Sequence, residues 1–224
     1  MKYLEIENDF GTSLLDDNFK GYYLHSKGIA SIGGGIGLVS VANCSSPVVP
    51  GENAPVVAVK YPGFVQLYRG DQSASQYTWT FYIEEAYISQ PFEYFIFKEA
   101  FPGHAAGTGL LVLRNALDQV IYDSDEKYLN IVDVIYTPYT QPLSRSYTDT
   151  NEYAICVTQP MVRRETADTP GGWRRIDAFG AKISPTGIGT FREWPYRTTS
   201  PGPSTPPPGG NIYAGFFVVD VTSF

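Results

Sequence analysis

Apolar and polar positions alternate with a period of two along much of the chain. In Tyr77-Thr78-Trp79-Thr80-Phe81-Tyr82-Ile83 the odd positions are all large and apolar, while Thr78 and Thr80 point the other way. That is the pattern of a strand with one buried face. Aromatic and β-branched runs, separated by turn residues, recur at Val56–Lys60, Val65–Arg69, Tyr77–Ile83, Phe92–Lys98, Leu110–Arg114 and Val120–Asp123. They continue at Ile131–Thr137, Tyr153–Thr158, Trp173–Ala178, Thr190–Trp194 and Ile212–Thr222. The spacing predicts about ten strands and an all-β fold. The expected architecture is an antiparallel β-sandwich, Ig-like or jelly-roll-like, with long Gly/Pro-rich loops and an extended C-terminal arm. One short helical turn is suggested, at Ile83–Tyr87.

Composition points the same way. The 22 Gly and 17 Pro among 224 residues disfavour long helices, whereas 17 Tyr, 13 Phe and 3 Trp suit a pleated, half-buried surface. With 43% hydrophobic and 17% charged residues the chain can bury a core without disulfides or metal. No apolar run approaches the roughly 18 to 20 residues that span a bilayer. Met1-Lys2-Tyr3-Leu4-Glu5-Ile6-Glu7 is too acidic for a signal peptide. The expectation is a soluble chain without a secretion signal or a membrane span.

Three segments follow from where Gly and Pro concentrate. Residues 1–196 are expected to form the sandwich, and residues 197–210, with five prolines and three glycines, an extended arm. Residues 211–224 then supply an apolar strand that returns to the sandwich or to a neighbouring subunit, because so sticky a strand must be covered. The small, apolar stretch Gly28–Ser45 contains Gly33-Gly34-Gly35-Ile36-Gly37. A Gly-x-Gly-x-x-Gly nucleotide fingerprint would place its last glycine at Leu38 or Ser40, so this segment reads as a flexible turn into a strand.

Charge and reactive side chains exclude more than they suggest. The net charge is −7, and clustered cations occur only at Arg163-Arg164 and Arg174-Arg175, which argues against a nucleic-acid groove. Cys44 and Cys156, the two thiols, belong to no ligand-spaced motif. Two buried free thiols or a single disulfide both remain open. His25 and His104 form no zinc pattern, and no Gly-x-Ser-x-Gly elbow occurs. Glu84-Glu85, Asp123-Ser124-Asp125-Glu126 and Asp149 are the carboxylates available for an acid/base pair. Counted from Asp123, a calcium loop would need Gly at the sixth and Glu at the twelfth position, which are Tyr128 and Val134. A solvated turn is the simpler reading. The expectation is a protein without catalytic residues, metal or cofactor.

Aromatic side chains offer the remaining chemistry. Trp173, Trp194, Tyr196 and the tyrosines of Tyr136-Thr137-Pro138-Tyr139 lie near Pro/Gly-rich segments where loops can expose them. With Phe216 and Phe217 of the last strand, Trp173, Trp194 and Tyr196 are candidate interface or ligand contacts. Interface use is favoured over sugar stacking by the low charge content and the lack of any other site.

The most informative segment is a hairpin. Leu110–Arg114 and Gln119–Asp123 can pair across Asn115-Ala116-Leu117-Asp118, where Asn suits the start of a type I turn and Asp tolerates the left-handed position at the bulge that follows. In residues 109–135, Gly109, Leu110, Val112, Asn115, Val120, Tyr122, Asp123 and Ser124 precede a strand beginning Tyr128-Leu129-Asn130-Ile131-Val132-Asp133. This segment resembles a recurrent block of small tail-module proteins of double-stranded DNA bacteriophages, with Asp118 standing where that pattern has a turn glycine. The resemblance covers this block alone. It implies a non-enzymatic structural component of a phage tail or tail tip, located in the virion. As an oligomer or ring-bound subunit it would be held by other tail proteins through β edges and apolar or aromatic patches. The alternative is a carbohydrate-binding module of a host-recognition apparatus, with a host glycan as ligand.

Overall fold

The computed structural model describes residues 5–7, 13–16, 21–36, 39–99, 110–114, 118, 120–138, 141, 143–147, 150–166, 174–184, 187–198 and 213–224. In chain order the strands begin with β1 (Glu5–Glu7), β2 (Ser13–Asp16), β3 (Tyr22–Ile29), β4 (Ser31–Ile36), β5 (Val39–Pro47) and β6 (Val56–Lys60). They continue with β7 (Val65–Gln72), β8 (Gln76–Glu84), β9 (Glu93–Glu99), β10 (Val112–Arg114), β11 (Val120–Asp123) and β12 (Ile131–Pro138). The series ends with β13 (Ser144–Ser146), β14 (Tyr153–Gln159), β15 (Met161–Thr166), β16 (Arg174–Ser184), β17 (Gly187–Thr198) and β18 (Tyr213–Asp220). A 3-10 turn at Glu85–Tyr87 fills the place where the sequence suggests a helical turn.

The fold is all-β and antiparallel. A small sheet of six strands runs β12-β18-β14-β6-β9-β3. A large sheet of eight runs β13-β17-β16-β7-β8-β5-β4, with β15 paired to β16 beside this path. β1 and β2, and likewise β10 and β11, form separate hairpins.

Small and large side chains alternate between neighbouring strands where the sheets face each other. On the inner face of β8 stand Tyr77, Trp79, Phe81 and Ile83, and directly opposite them on β5 stand Ser46, Cys44, Ala42 and Ser40. The short β5 side chains leave room beside the large side chains of β8. All of these except the two serines join Val57 and Val59 of β6 and Ile96 of β9 in one buried cluster. A second cluster joins Ile155 of β14, Phe216 and Val218 of β18, and Ile183 of β16. Both clusters draw on both sheets and form the sandwich core.

The outer face of the small sheet is also covered. Ala58, Phe95, Phe97, Ala154, Cys156 and Val219 form a third cluster under Leu129 and Phe224. The Phe224 ring lies 6.2 Å from that of Phe95 and 5.6 Å from that of Phe97. Hence Tyr153–Val157 is buried at every position, odd residues inward and even residues outward.

Two readings of the sequence need correction. Gly33–Ile36 is not a turn but part of edge strand β4, which pairs with β5 through a register shift between Gly33 and Ile36. Glycines suit such a bulge because they carry no side chain to align with the pleat. Asp123 is not solvated: its carboxyl is buried, and Oδ1 accepts the Asp125 N–H at 2.9 Å in a local turn. β10 and β11 pair as the hairpin reading expects, with Asp118 at φ 61° and a register shift at Leu113/Arg114, while turn residues 115–117 lie outside the described residues. β18 lies between β12 and β14 of its own chain. Cys44 and Cys156 are buried and free.

Candidate interaction surface

Among the described residues, the outer cover of the small sheet stops at β18, and β12 lies beyond it. Val132, Val134 and Tyr136 alternate with Ile135 and Thr137, which point into the sandwich and are buried. Val134 and Tyr136 are 61% and 62% exposed, and Ile131, Val132 and Tyr213 are exposed beside them. Register explains the grouping: Val134 stands opposite Phe217, Tyr136 opposite Gly215, and Pro138 opposite Tyr213. The Tyr136 and Tyr213 rings stack on each other, with centroids 5.0 Å apart and planes 3° from parallel. A Cβ at Gly215 would lie 2.7 Å from Thr158 Oγ1, so only glycine lets β18 pass this close to β14.

The polar neighbours of this patch hold it in place. Asp133 Oδ1 accepts the Val134 N–H at 2.8 Å, and Oδ2 accepts the Tyr147 hydroxyl at 2.8 Å with Arg145 Nε 3.8 Å away. Burial, and then the bond to Asp133, push the Tyr147 phenol above its ordinary range. A carboxylate that occupies an edge amide discourages indiscriminate strand pairing there. The exposed outer face of β12 is apolar, a patch of the kind that marks interaction sites.

The aromatic candidates named from sequence separate clearly. Phe216 and Phe217 are adjacent on β18 and face opposite ways. Phe216 is fully buried in the sandwich core, while Phe217 is half-buried on the outer face and borders the patch. Trp194 and Tyr196 are placed by backbone in β17, their side chains lying outside the described set, and Trp173 and Tyr139 fall outside the described residues. Tyr136 is exposed, but from a strand rather than a loop. Val132 and Val134 belong to the run Ile131–Tyr136, which is apolar on both faces except at Asp133, and Tyr213 belongs to the apolar run Ile212–Thr222.

Several groups suited to acid/base or metal chemistry make structural contacts. Glu84 Oε2 accepts the Phe64 N–H at 3.1 Å and lies 3.7 Å from Lys182 Nζ. Glu85 begins the 3-10 turn, His25 is exposed on β3, and Asp149 and His104 lie outside the described residues. Burial pushes the thiols of Cys44 and Cys156 up to about 12, which leaves almost no thiolate near neutrality. A buried ion pair joins Lys98 of β9 to Glu52, Nζ to Oε1 at 3.1 Å, with both side chains 1% exposed. Lys98 also donates to Pro47 O at 2.9 Å, and Glu52 Oε1 accepts the Val49 N–H at 2.9 Å, so the pair clips the loop after β5 onto the sandwich. Among the described residues, no three His, Cys, Asp or Glu side chains are grouped to hold a metal ion, and no helix is long and apolar enough to cross a membrane. Comparison of the chain with protein families, with curated sequences and with solved structures finds no match.

Proposed function

We propose that this protein is a non-enzymatic structural subunit of a bacteriophage tail or tail tip, held by copies of itself and by other tail proteins. The observation that carries the assembly reading is the uncovered outer face of β12, where Val132, Val134 and Tyr136 stand exposed on a strand whose opposite face is buried. Neighbouring subunits that cover this face bury apolar area worth roughly 25 cal/mol per Å² before the cost of association. The tail assignment rests on the resemblance of residues 109–135, whose hairpin has a register shift and a left-handed Asp118 where the pattern has a turn glycine.

The test pairs solution association with composition of the particle. Sedimentation of the full chain, alone and with solubilised virion proteins, is expected to show concentration-dependent complexes. The V134D/Y136S variant is expected to weaken them about a hundredfold, as loss of two central interface side chains does. Its circular dichroism should match the parent, because substitutions at exposed positions shift stability by about 0.5 kcal/mol or less. A chain that stays monomeric at all concentrations and binds no virion protein, or virions whose mass spectra lack it, would overturn the reading.

A further inference from the structure

At one end of the sandwich a cleft of about 460 Å³ opens between the sheets. Lys60 at the end of β6, Glu93 at the start of β9, Tyr153 at the start of β14 and Ile183 near the end of β16 contribute its walls. The volume falls within the roughly 300–1,000 Å³ of small-ligand sites. The depth is apolar, built from the buried Tyr61, Tyr153 and Ile183, and Pro62 and Pro91 stand at the mouth as rigid, exposed apolar ridges.

The rim is polar and internally fixed. Lys60 Nζ lies 2.8 Å from Glu152 Oε2 and 3.7 Å from Glu93 Oε1, so one ammonium bridges two carboxylates. Each carboxylate meets Lys60 through one oxygen and keeps a second acceptor. The segment carrying Glu152 is tied to the turn after β18. Asn151 Nδ2 donates to Asp220 Oδ2 at 2.9 Å, and the Glu152 N–H donates to Thr222 Oγ1 at 2.8 Å. Asp220 Oδ1 accepts both the Thr222 N–H and its hydroxyl, at 2.9 and 2.6 Å. A wall held this way needs little further ordering when a ligand arrives.

Charge narrows the ligand class. Among the described residues, two carboxylates against one ammonium leave the rim net negative, which disfavours phosphates and acidic sugars. Lys60 already occupies the position between the carboxylates that a second cation would need. A neutral polyol meets both conditions: its hydroxyls donate to the second oxygens of Glu93 and Glu152 and accept from Lys60 and from the Gln90 amide at the same rim. The C–H faces of a pyranose ring can lie against Pro62 and Pro91. We infer that this inter-sheet cleft is a binding site for an uncharged saccharide. It lies apart from the β12 face and does not rest on the assembly reading.

The experiment uses the full chain on an array of neutral and acidic oligosaccharides, followed by saturation-transfer NMR and calorimetry with the tightest neutral binder. Neutral glycans are expected to bind and acidic ones not. Glu152→Gln is expected to weaken binding about tenfold, the effect of replacing a charge-assisted hydrogen bond by a neutral one, and Gln90→Ala less. Tyr136→Ser, on the β12 face, is expected to leave glycan affinity unchanged, so failure here and failure of the assembly reading are separate results. Both cleft substitutions are at the surface, and thermal unfolding checks that the variants remain folded. The inference is overturned if no neutral glycan binds, if binding is indifferent to both Glu152→Gln and Gln90→Ala, or if the cleft instead selects acidic glycans or arginine-rich peptides.

Discussion

The two sheets solve burial differently. In the large sheet β8 alternates strictly, Tyr77, Trp79, Phe81 and Ile83 being buried and the residues between them partly open to water. Its solvent face is held by polar pairs such as Thr80 Oγ1 to Asn43 Oδ1 at 2.8 Å. In the small sheet Tyr153–Val157 of β14 and Phe95–Glu99 of β9 are buried without a break, because Leu129 and Phe224 roof the second face. A sheet covered on both sides carries continuous apolar runs, and wherever its roof ends the outward apolar residues are left bare. β12 is that place, and the apolar patch there follows from a strand composed like its covered neighbours but lacking, among the described residues, their cover.

The largest test of this contrast is a pair of truncations. Phe81→Ala, on the inner face of the large sheet, and Phe97→Ala, under the outer roof of the small one, should each lower stability by about 3–5 kcal/mol in urea unfolding. A cost below about 1 kcal/mol at Phe97 would mean that the roof is loosely packed and that the small sheet is in effect one-sided. Glu52→Gln comes close behind, since it strands the Lys98 ammonium away from water and should cost about 3–5 kcal/mol. Adding Lys98→Met should recover a large part of that loss. If Glu52→Gln alone is silent, the loop after β5 is not held by this pair.

The smallest effect separates the same regions by their thiols, Cys44 in the sandwich core and Cys156 under the roof. Burial raises both from 9.0 to about 12, so the native state keeps protons that the unfolded chain releases above pH 9. Their contribution to stability is complete below pH 9 and is lost as pH rises towards about 12. At pH 8 a thiol reagent should modify neither site rapidly, and Cys156 should react first, because opening the roof does not require the sheets to part. Faster labelling of Cys44 would reverse the assumed order of local stabilities.

Much of the architecture was legible in short-range pattern. Val56–Lys60 and Val120–Asp123 coincide with β6 and β11, and the Tyr77–Ile83 alternation names the buried face of β8 correctly. Among the strands that the apolar runs do not mark are Tyr22–Ile29, whose exposed members include His25 and Lys27, and the glycine-rich Ser31–Ile36 at a sheet edge. Such strands are specified by their neighbours' ladders rather than by their own apolar rhythm. The surface was less legible still. Phe216 and Phe217 are equivalent as text, and only the register with Ile135 and Val134 decides that one is core and the other outward. The cleft joins Lys60 to Glu152 across 92 residues of chain, a proximity that no local pattern encodes.

The place of β18 also has a consequence in time. β12 and β14 are translated well before the strand that joins them, with residues 160–212 intervening after β14. Until Tyr213–Asp220 emerges from the ribosome, two apolar strands of the small sheet wait with open ladders, ready to capture any extended segment nearby. A nascent chain stalled in this interval is the form in which this protein is most exposed to aggregation, and chaperone engagement should peak there rather than at the completed fold.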